Sequence, residues 1–301
     1  MKADRPSLTA IKIARGIVFV SEDPQVREIL PAGAVELNAA ILREAGLLTP
    51  GMEKLYRKPW FRRFAHWVAH HTTPGQMMTL PIRKRFVDDE IRRAIGDGAE
   101  QLLVVGAGFD TVALRIAEQF PEVRCFEIDH PGTHRVKRAA IESLQLERPN
   151  LRLVAADLAT MGLAEAMEQA PDWQRDRVAV IVAEGVLMYL DASDVATFLD
   201  GVHFIAASGS TLLFTHIRVD ERGEIVTGKN TGVMRLALKV VGEPLKWGIG
   251  TDAMASFLED HGYTLDQSPT PEQLRVRYLE PAGLGAEIVG NIELMASAKV
   301  V

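Results

Sequence analysis

The sequence predicts an α/β fold: a doubly wound, mostly parallel sheet behind a helical N-terminal cap. Three observations carry this. Short apolar runs rich in Val, Ile and Leu recur at 101–105, 122–128, 151–155, 178–183 and 211–216. Helix-like segments separate them, which is the pattern of buried parallel strands joined by crossover helices. The first run enters a glycine turn, "VVGAGFDT", and leaves it as a helix, the arrangement that seats a cofactor in open α/β sheets.

Residues 1–98 read as the cap. Ser7 and Thr9 are candidate caps for a helix over roughly 10–18, and "DPQVREIL" begins another. In "PWFRRFAHWVAHH", Pro59 stands in a first turn, and Trp60, Phe64 and Trp67 recur at helical spacing. Those rings suit either a lid over an apolar pocket or ordinary core packing. A fourth helix covers 80–96 and ends at Gly96 and Gly98. The core, 99–301, then alternates strand and helix. A helix at about 252–260 closes on "HGY", and a last strand covers about 292–299. Residues 217–250 are punctuated by glycine and read as a substrate-lid insertion holding a short helix near 231–241. No long linker divides cap from core, so the chain reads as one structural domain.

Composition excludes several classes. Apolar residues are 47% and charged residues 25% of the 301, ordinary for a globular chain with a sizeable core. The formal net charge is −6 with scattered basic residues, which argues against nucleic acid. A lone cysteine, Cys125, forbids an internal disulfide and suits a reducing compartment. Charges interrupt every apolar run of the N-terminus, so no secretory signal is expected there. Nothing approaches the ~18 apolar residues of a membrane span. The expectation is a cytoplasmic protein with neither nucleic-acid nor membrane partner; oligomeric state stays open.

Ligands of open α/β sheets sit beyond the carboxyl ends of the strands. That rule selects Gly106 and Gly108 after the first strand, Asp129 after the second, Asp157 and Leu158 after the third, Glu184 after the fourth and His216 after the fifth. Asp129 lies 21 residues past Gly108, the spacing of an acid that reaches ribose hydroxyls; a solvated loop carboxylate is the plainer alternative. The turn departs from the dinucleotide pattern G-x-G-x-x-G, because Thr111 holds the third glycine's place and Asp110 opens the helix. A carboxylate there repels a pyrophosphate, whereas S-adenosylmethionine carries no phosphate. Asp110 also reads simply as a helix cap.

With these residues in place, the chain resembles the leucine carboxyl methyltransferase family of S-adenosylmethionine-dependent enzymes, through "GAGFDT", "FEIDHP", "AADL", "AEGVLMYL" and the upstream "IRKRFVDDEI". "SLTA" and "FLEDHGYTL … LRVRYLEPAG" resemble its bacterial and fungal branch, which includes tetracenomycin-type polyketide carboxyl O-methyltransferases. The resemblance implies a seven-stranded Rossmann-like methyltransferase sheet. It also implies that Arg83 grips the cofactor's methionine carboxylate, that Gly106 and Gly108 line the methionine part, and that Asp129 holds the ribose. Asp157 and Leu158 would bracket adenine, and Glu184 would face the methionine end. Without the family, Arg83 reads as a surface arginine of "RKR". Val112 stands where the family often has Arg, with Arg115 retained. The protein-phosphatase substrate of the best-known member is not carried over.

The expected function is methyl transfer from S-adenosylmethionine to a carboxylate of a small-molecule or natural-product acid, an acceptor already ionised near neutral pH. A phenolic or enolic hydroxyl is the alternative acceptor and would need a base. His216 is the candidate base, though a lone histidine there also suits a structural or substrate-donor role, and Tyr189 is a candidate substrate contact. Two other readings share the sheet: a nicotinamide-dependent oxidoreductase, disfavoured by Thr111, and a non-catalytic S-adenosylmethionine-binding protein. Zinc is not expected, because His66, His70 and His71 lack an acidic or cysteine partner set.

Overall fold

The computed structural model describes residues 5–220, 223–225 and 245–301. The expected short helix near 231–241 lies outside the described residues, as does most of the expected 217–250 insertion.

Seven strands form one sheet in the order β3-β2-β1-β4-β5-β7-β6. They are β1 (Gln101–Val105), β2 (Arg124–Asp129), β3 (Leu151–Ala155), β4 (Ala179–Ala183), β5 (Thr211–Ile217), β6 (Tyr263–Gln267) and β7 (Glu293–Val300). The first five run parallel, and β7 pairs antiparallel with both β5 and β6. Strands of the centre read as unbroken apolar runs because both faces are covered. Leu103, Val105 and Ile181 face one hydrophobic cluster, Leu102, Val104 and Val180 the other. Strand β6 escaped the sequence reading for the converse reason. It is an edge strand whose only fully buried side chain is Tyr263, with its hydroxyl donating to the Leu199 carbonyl at 2.7 Å.

The cap consists of α1 (Leu8–Val20), α2 (Pro24–Ile29), α3 (Ala34–Glu44), α4 (Pro50–Tyr56), α5 (Pro59–Thr72) and α6 (Gln76–Gly96). Ser7 caps α1 by accepting from the Ala10 N–H at 3.1 Å, and Asp23 caps α2 by accepting from Gln25; Thr9 lies inside α1. The sequence reading missed α3 and α4 and began α6 four residues late. Pro81 resembles a start signal but sits inside α6, one turn in, where its missing N–H removes one intrahelical bond. Side chains of α1, α2 and α6 share the second hydrophobic cluster with β1 and β4.

A buried ion pair fixes α6 against α7 (Val112–Gln119). Asp88 accepts from Arg115 Nη1 and, on its other oxygen, from Arg92 Nε at 2.6 Å; Asp88 and Arg115 are both buried. Removing one member strands the other charge in a low-dielectric setting. Arg115→Ala is expected to lower unfolding stability by about 3 kcal/mol in urea titration; a loss within measurement error would show that the pair does not hold this joint.

Candidate active site

The strand order reverses between β1 and β4, the switch point at which doubly wound sheets open a crevice. The glycine turn stands there. Gly106 (φ +65°) and Gly108 (φ +54°) occupy the left-handed region, which disfavours any residue with a Cβ. A Cβ on Gly106 would fall 2.6 Å from Val186 Cγ2, and one on Gly108 would fall 3.1 Å from Ala10 Cβ. The turn is therefore roofed by α1 and by the segment after β4. Near it the N-terminal segment is pinned by the Ser7 N–H, which donates to Thr133 Oγ1 at 3.0 Å.

Asp110 accepts from the Val112 N–H at 2.7 Å, occupying the start of α7. Burial opposes its charge, but Lys84, Arg115 and Lys137 outweigh burial and hold its carboxyl well below the usual range. A fixed negative charge thus stands where a dinucleotide's pyrophosphate would rest. The N-cap position itself belongs to Thr111, so Asp110 is not the cap that the sequence suggested; it stands one residue earlier and accepts from the first N–H of the helix.

Beside the turn, two adjacent cations of α6 meet three carboxylates from other elements. Arg83 Nη1 donates to Glu293 at 2.5 Å, and its Nε lies 2.7 Å from Glu184 Oε1 without hydrogen-bond alignment. Lys84 Nζ donates to the same Glu184 oxygen at 2.6 Å and also to Asp110. Burial weakens the charged forms of both cations, but Glu293 and Glu184 raise Arg83, and Asp110 and Glu184 raise Lys84, so both stay protonated. Arg83 is only 5% exposed, which corrects the surface-arginine reading. Lys84 and Glu293 were missed. A lone acid opening the apolar strand "IELMAS" was a usable signal for Glu293; Lys84 looked like part of a solvated basic run.

The remaining predicted residues lie on the neighbouring strand ends. The Asp129 carboxylate accepts from the Gly108 N–H, tying the end of β2 to the turn. Burial raises its carboxyl above the ordinary value, against the pull of Gly108, Lys137 and His130. His130 Nδ1 accepts from the Gly132 N–H at 3.1 Å, leaving Nε2 facing Asp157 at 3.7 Å. Leu158 packs, half-buried, on the first hydrophobic cluster. An open groove of about 890 Å³ lies at the opposite, N-terminal ends of β2 and β3, among Arg124, Glu142, Arg152 and Asp172, away from these groups.

His216 does not stand free at a strand end. Strand β5 continues through Ile217, and His216 is fully buried within it opposite Leu294. No well-aligned hydrogen bond reaches either ring nitrogen. Burial lowers its pKa to about 4, partly countered by the backbone of Ile217 and Ile249. Tyr189 ends a short 3-10 turn, Leu187–Tyr189, and packs half-buried beside an apolar cluster of Met188, Ile217 and Ile292. Trp60, Phe64 and Trp67 do not pack into the core; they face outward at 63%, 55% and 59% exposure. No group of three or more His, Cys, Asp or Glu suited to a metal occurs among the described residues.

Residues 23–203 match the model of the leucine carboxyl methyltransferase family. The chain belongs to the leucine carboxyl methyltransferase family. Curated relatives agree. A candidate S-adenosyl-L-methionine-dependent methyltransferase from Mycolicibacterium vanbaalenii is 27% identical over 74% of this chain and 75% of its own length. Another, from Frankia alni, is 26% identical over 76% and 86%. Among solved structures, a candidate methyltransferase from Thermobifida fusca superposes with TM-score 0.55 at 18% identity, covering 92% of this chain and 97% of its own. A DUF574 family protein from Streptomyces avermitilis gives 0.57 at 15%, covering 87% and 96%; both likenesses concern the fold. The protein is an S-adenosylmethionine-dependent methyltransferase, which removes the nicotinamide alternative. The site suits that cofactor: two cations against three carboxylates leave the cluster net negative, and the cofactor, with sulfonium, ammonium and carboxylate, is net positive.

Two predictions follow from this geometry. Asp129→Ala is expected to weaken S-adenosylhomocysteine binding at least about tenfold by calorimetry, the worth of one charge-assisted hydrogen bond; unchanged affinity would remove Asp129 from the site. His216 is neutral in the fold at pH values where the unfolded chain binds a proton. Its contribution to stability is full above about 6.5 and is lost as pH falls toward about 4, at up to about 1.4 kcal/mol per pH unit. His216→Gln should show a flatter stability profile over that range by chemical denaturation; parallel profiles would contradict the burial effect.

Proposed function

We propose that this methyltransferase esterifies a carboxylate of a small-molecule or natural-product acid, as the tetracenomycin-type branch resemblance suggests. The observation that carries the reading is the state of the site's titratable groups. Neighbouring carboxylates keep Arg83 and Lys84 protonated, so neither can serve as a base, and His216 is sealed inside β5. A carboxylate acceptor needs no base, since it is ionised at neutral pH. A phenol would need one, and His216 would have to become accessible to serve.

When bound, the cofactor supplies an electrophilic methyl on a sulfonium. The chain's residues bind and orient. The Gly106–Gly108 turn permits close backbone approach, Asp129 offers its carboxylate to the ribose, and Asp157 with Leu158 brackets the adenine. Arg83 receives the methionine carboxylate while Glu184 and Asp110 attract the ammonium. Met188, Tyr189, Ile217, Ile225, Leu245 and Ile292 gather into one apolar cluster near the end of β5, suited to the apolar body of an acid. Attack by an anion on a sulfonium neutralises both charges, so alignment and exclusion of water supply most of the acceleration.

Product chemistry tests the reading. With labelled cofactor and a panel of carboxylic acids and phenols, the label is expected to enter a product that mild alkali releases, as an ester does. Alkali-stable label would move the assignment to an ether and a hydroxyl acceptor. Binding of S-adenosylhomocysteine with no turnover on any acceptor would favour a non-catalytic role. His216→Gln should retain turnover within about threefold if no base is used, whereas a fall of the 10²–10⁴ order expected for a lost general base would restore His216 to catalysis.

A further inference from the structure

Helix α5 carries a surface that belongs neither to the charged cluster around Arg83 nor to the apolar cluster at the end of β5. None of its residues is buried. Trp60, Phe64 and Trp67 stand at i, i+4 and i+7, on one face, and are among the most exposed large apolar side chains of the described residues. Phe64 stacks on Trp67 at 6.4 Å between ring centres, and Trp67 meets His71 at 4.7 Å, so the rings form a continuous ridge about 10 Å long. The opposite side of the helix anchors it: Phe61 packs edge-on to Phe19 at 5.9 Å, and Arg62 donates to the Glu22 carbonyl at 2.9 Å.

The charge that this segment itself carries has one sign. Residues 54–72 hold five Lys and Arg, three His and no acid, within a chain of net charge −6. Arg57 leans on Glu22 at 3.4 Å. Lys54, Lys58 and Arg63 have no acidic partner among the described residues. By helical spacing Arg63, His66 and His70 lie along one flank of the aromatic stripe. We propose that α5 is a reversible docking element for an anionic phospholipid surface. Its rings would enter the headgroup boundary while Lys54, Lys58 and Arg63 meet lipid phosphates.

Charge complementarity selects this occupant. A cationic amphipathic helix with Trp and Phe on its apolar side is the physical form of an interfacial helix, and indole rings settle at headgroup depth. No helix among the described residues is long and apolar enough to cross a membrane. The sequence expectation of no membrane partner rested on the same absence, and lying on a bilayer is a separate physical claim from spanning it.

The test uses the full chain with vesicles of phosphatidylcholine alone or mixed with phosphatidylglycerol, read by co-sedimentation and tryptophan emission. Trp173 and Trp247 are buried, so a blue shift reports Trp60 and Trp67. Expected are sedimentation and a blue shift with the anionic vesicles only, reversed by salt. The double variant Lys58→Gln/Arg63→Gln should partition about thirtyfold more weakly. Trp60→Ser/Phe64→Ser/Trp67→Ser should abolish binding while keeping cofactor binding and circular dichroism unchanged. Equal binding to both vesicle types, or wild-type binding by either variant, would overturn the proposal. So would an absence of sedimentation accompanied by self-association that the triple variant abolishes, which would assign the ridge to a second copy of the chain.

Discussion

The buried meeting of Arg83 and Lys84 with Asp110, Glu184 and Glu293 is the constraint on which the arrangement of this protein depends. It joins α6 to three separate elements of the sheet: the turn after β1, the end of β4 and the start of β7. Charges removed from water are tolerated only when others compensate them. The set is therefore interdependent, and losing one member leaves the rest unbalanced. Glu184 is the hinge of the set, because the same oxygen lies close to both cations. The cluster holds the cap against the sheet beside the switch point between β1 and β4.

The neighbouring ion pairs extend this logic outward. Asp88 fixes Arg115 on α7, and the Val112 N–H that opens this helix donates to Asp110. Lys137 donates to Glu127 and to the Asp110 carbonyl, both at 2.6 Å. The conformation of "GAGFDT" is thus held from α6, from α7 and from α8 (Pro131–Ser143). A turn without side chains at Gly106 and Gly108 needs such external support, since those residues contribute nothing but backbone to their own placement.

Much of the sheet was legible because the central strands are buried on both faces and give unbroken apolar runs. The strand ends then pointed to Gly106, Asp129, Asp157 and Glu184 without reference to any family. What stayed hidden has physical reasons. Strand β6 buries one large side chain and lacks a run. Pro81 mimics a helix start from inside α6. Lys84 and Glu293 are 209 residues apart in the chain and acquire meaning only when folding brings both to the Arg83–Glu184 region. His216 looked terminal because the apolar run seemed to stop at it, whereas pairing with β7 carries β5 one residue further.

The electrostatics of the cluster also bear on where methyl transfer can occur. Carboxylates placed against the sulfonium would stabilise the charged reactant, and that charge is lost along the reaction, so the barrier would rise. Acids in such a site belong at the ammonium end of the cofactor, and the methyl belongs against apolar walls. Asp110, Glu184 and Glu293 crowd around Arg83 and Lys84, and the apolar cluster of Met188, Ile217 and Ile292 adjoins them, since Ile217 pairs with Glu293 between β5 and β7. Tyr189 lies five residues past Glu184 and packs with the apolar group. The short segment after β4 thus leads from the charged cluster to the apolar one, and under the proposed chemistry its shape sets how far the acceptor stands from the acids.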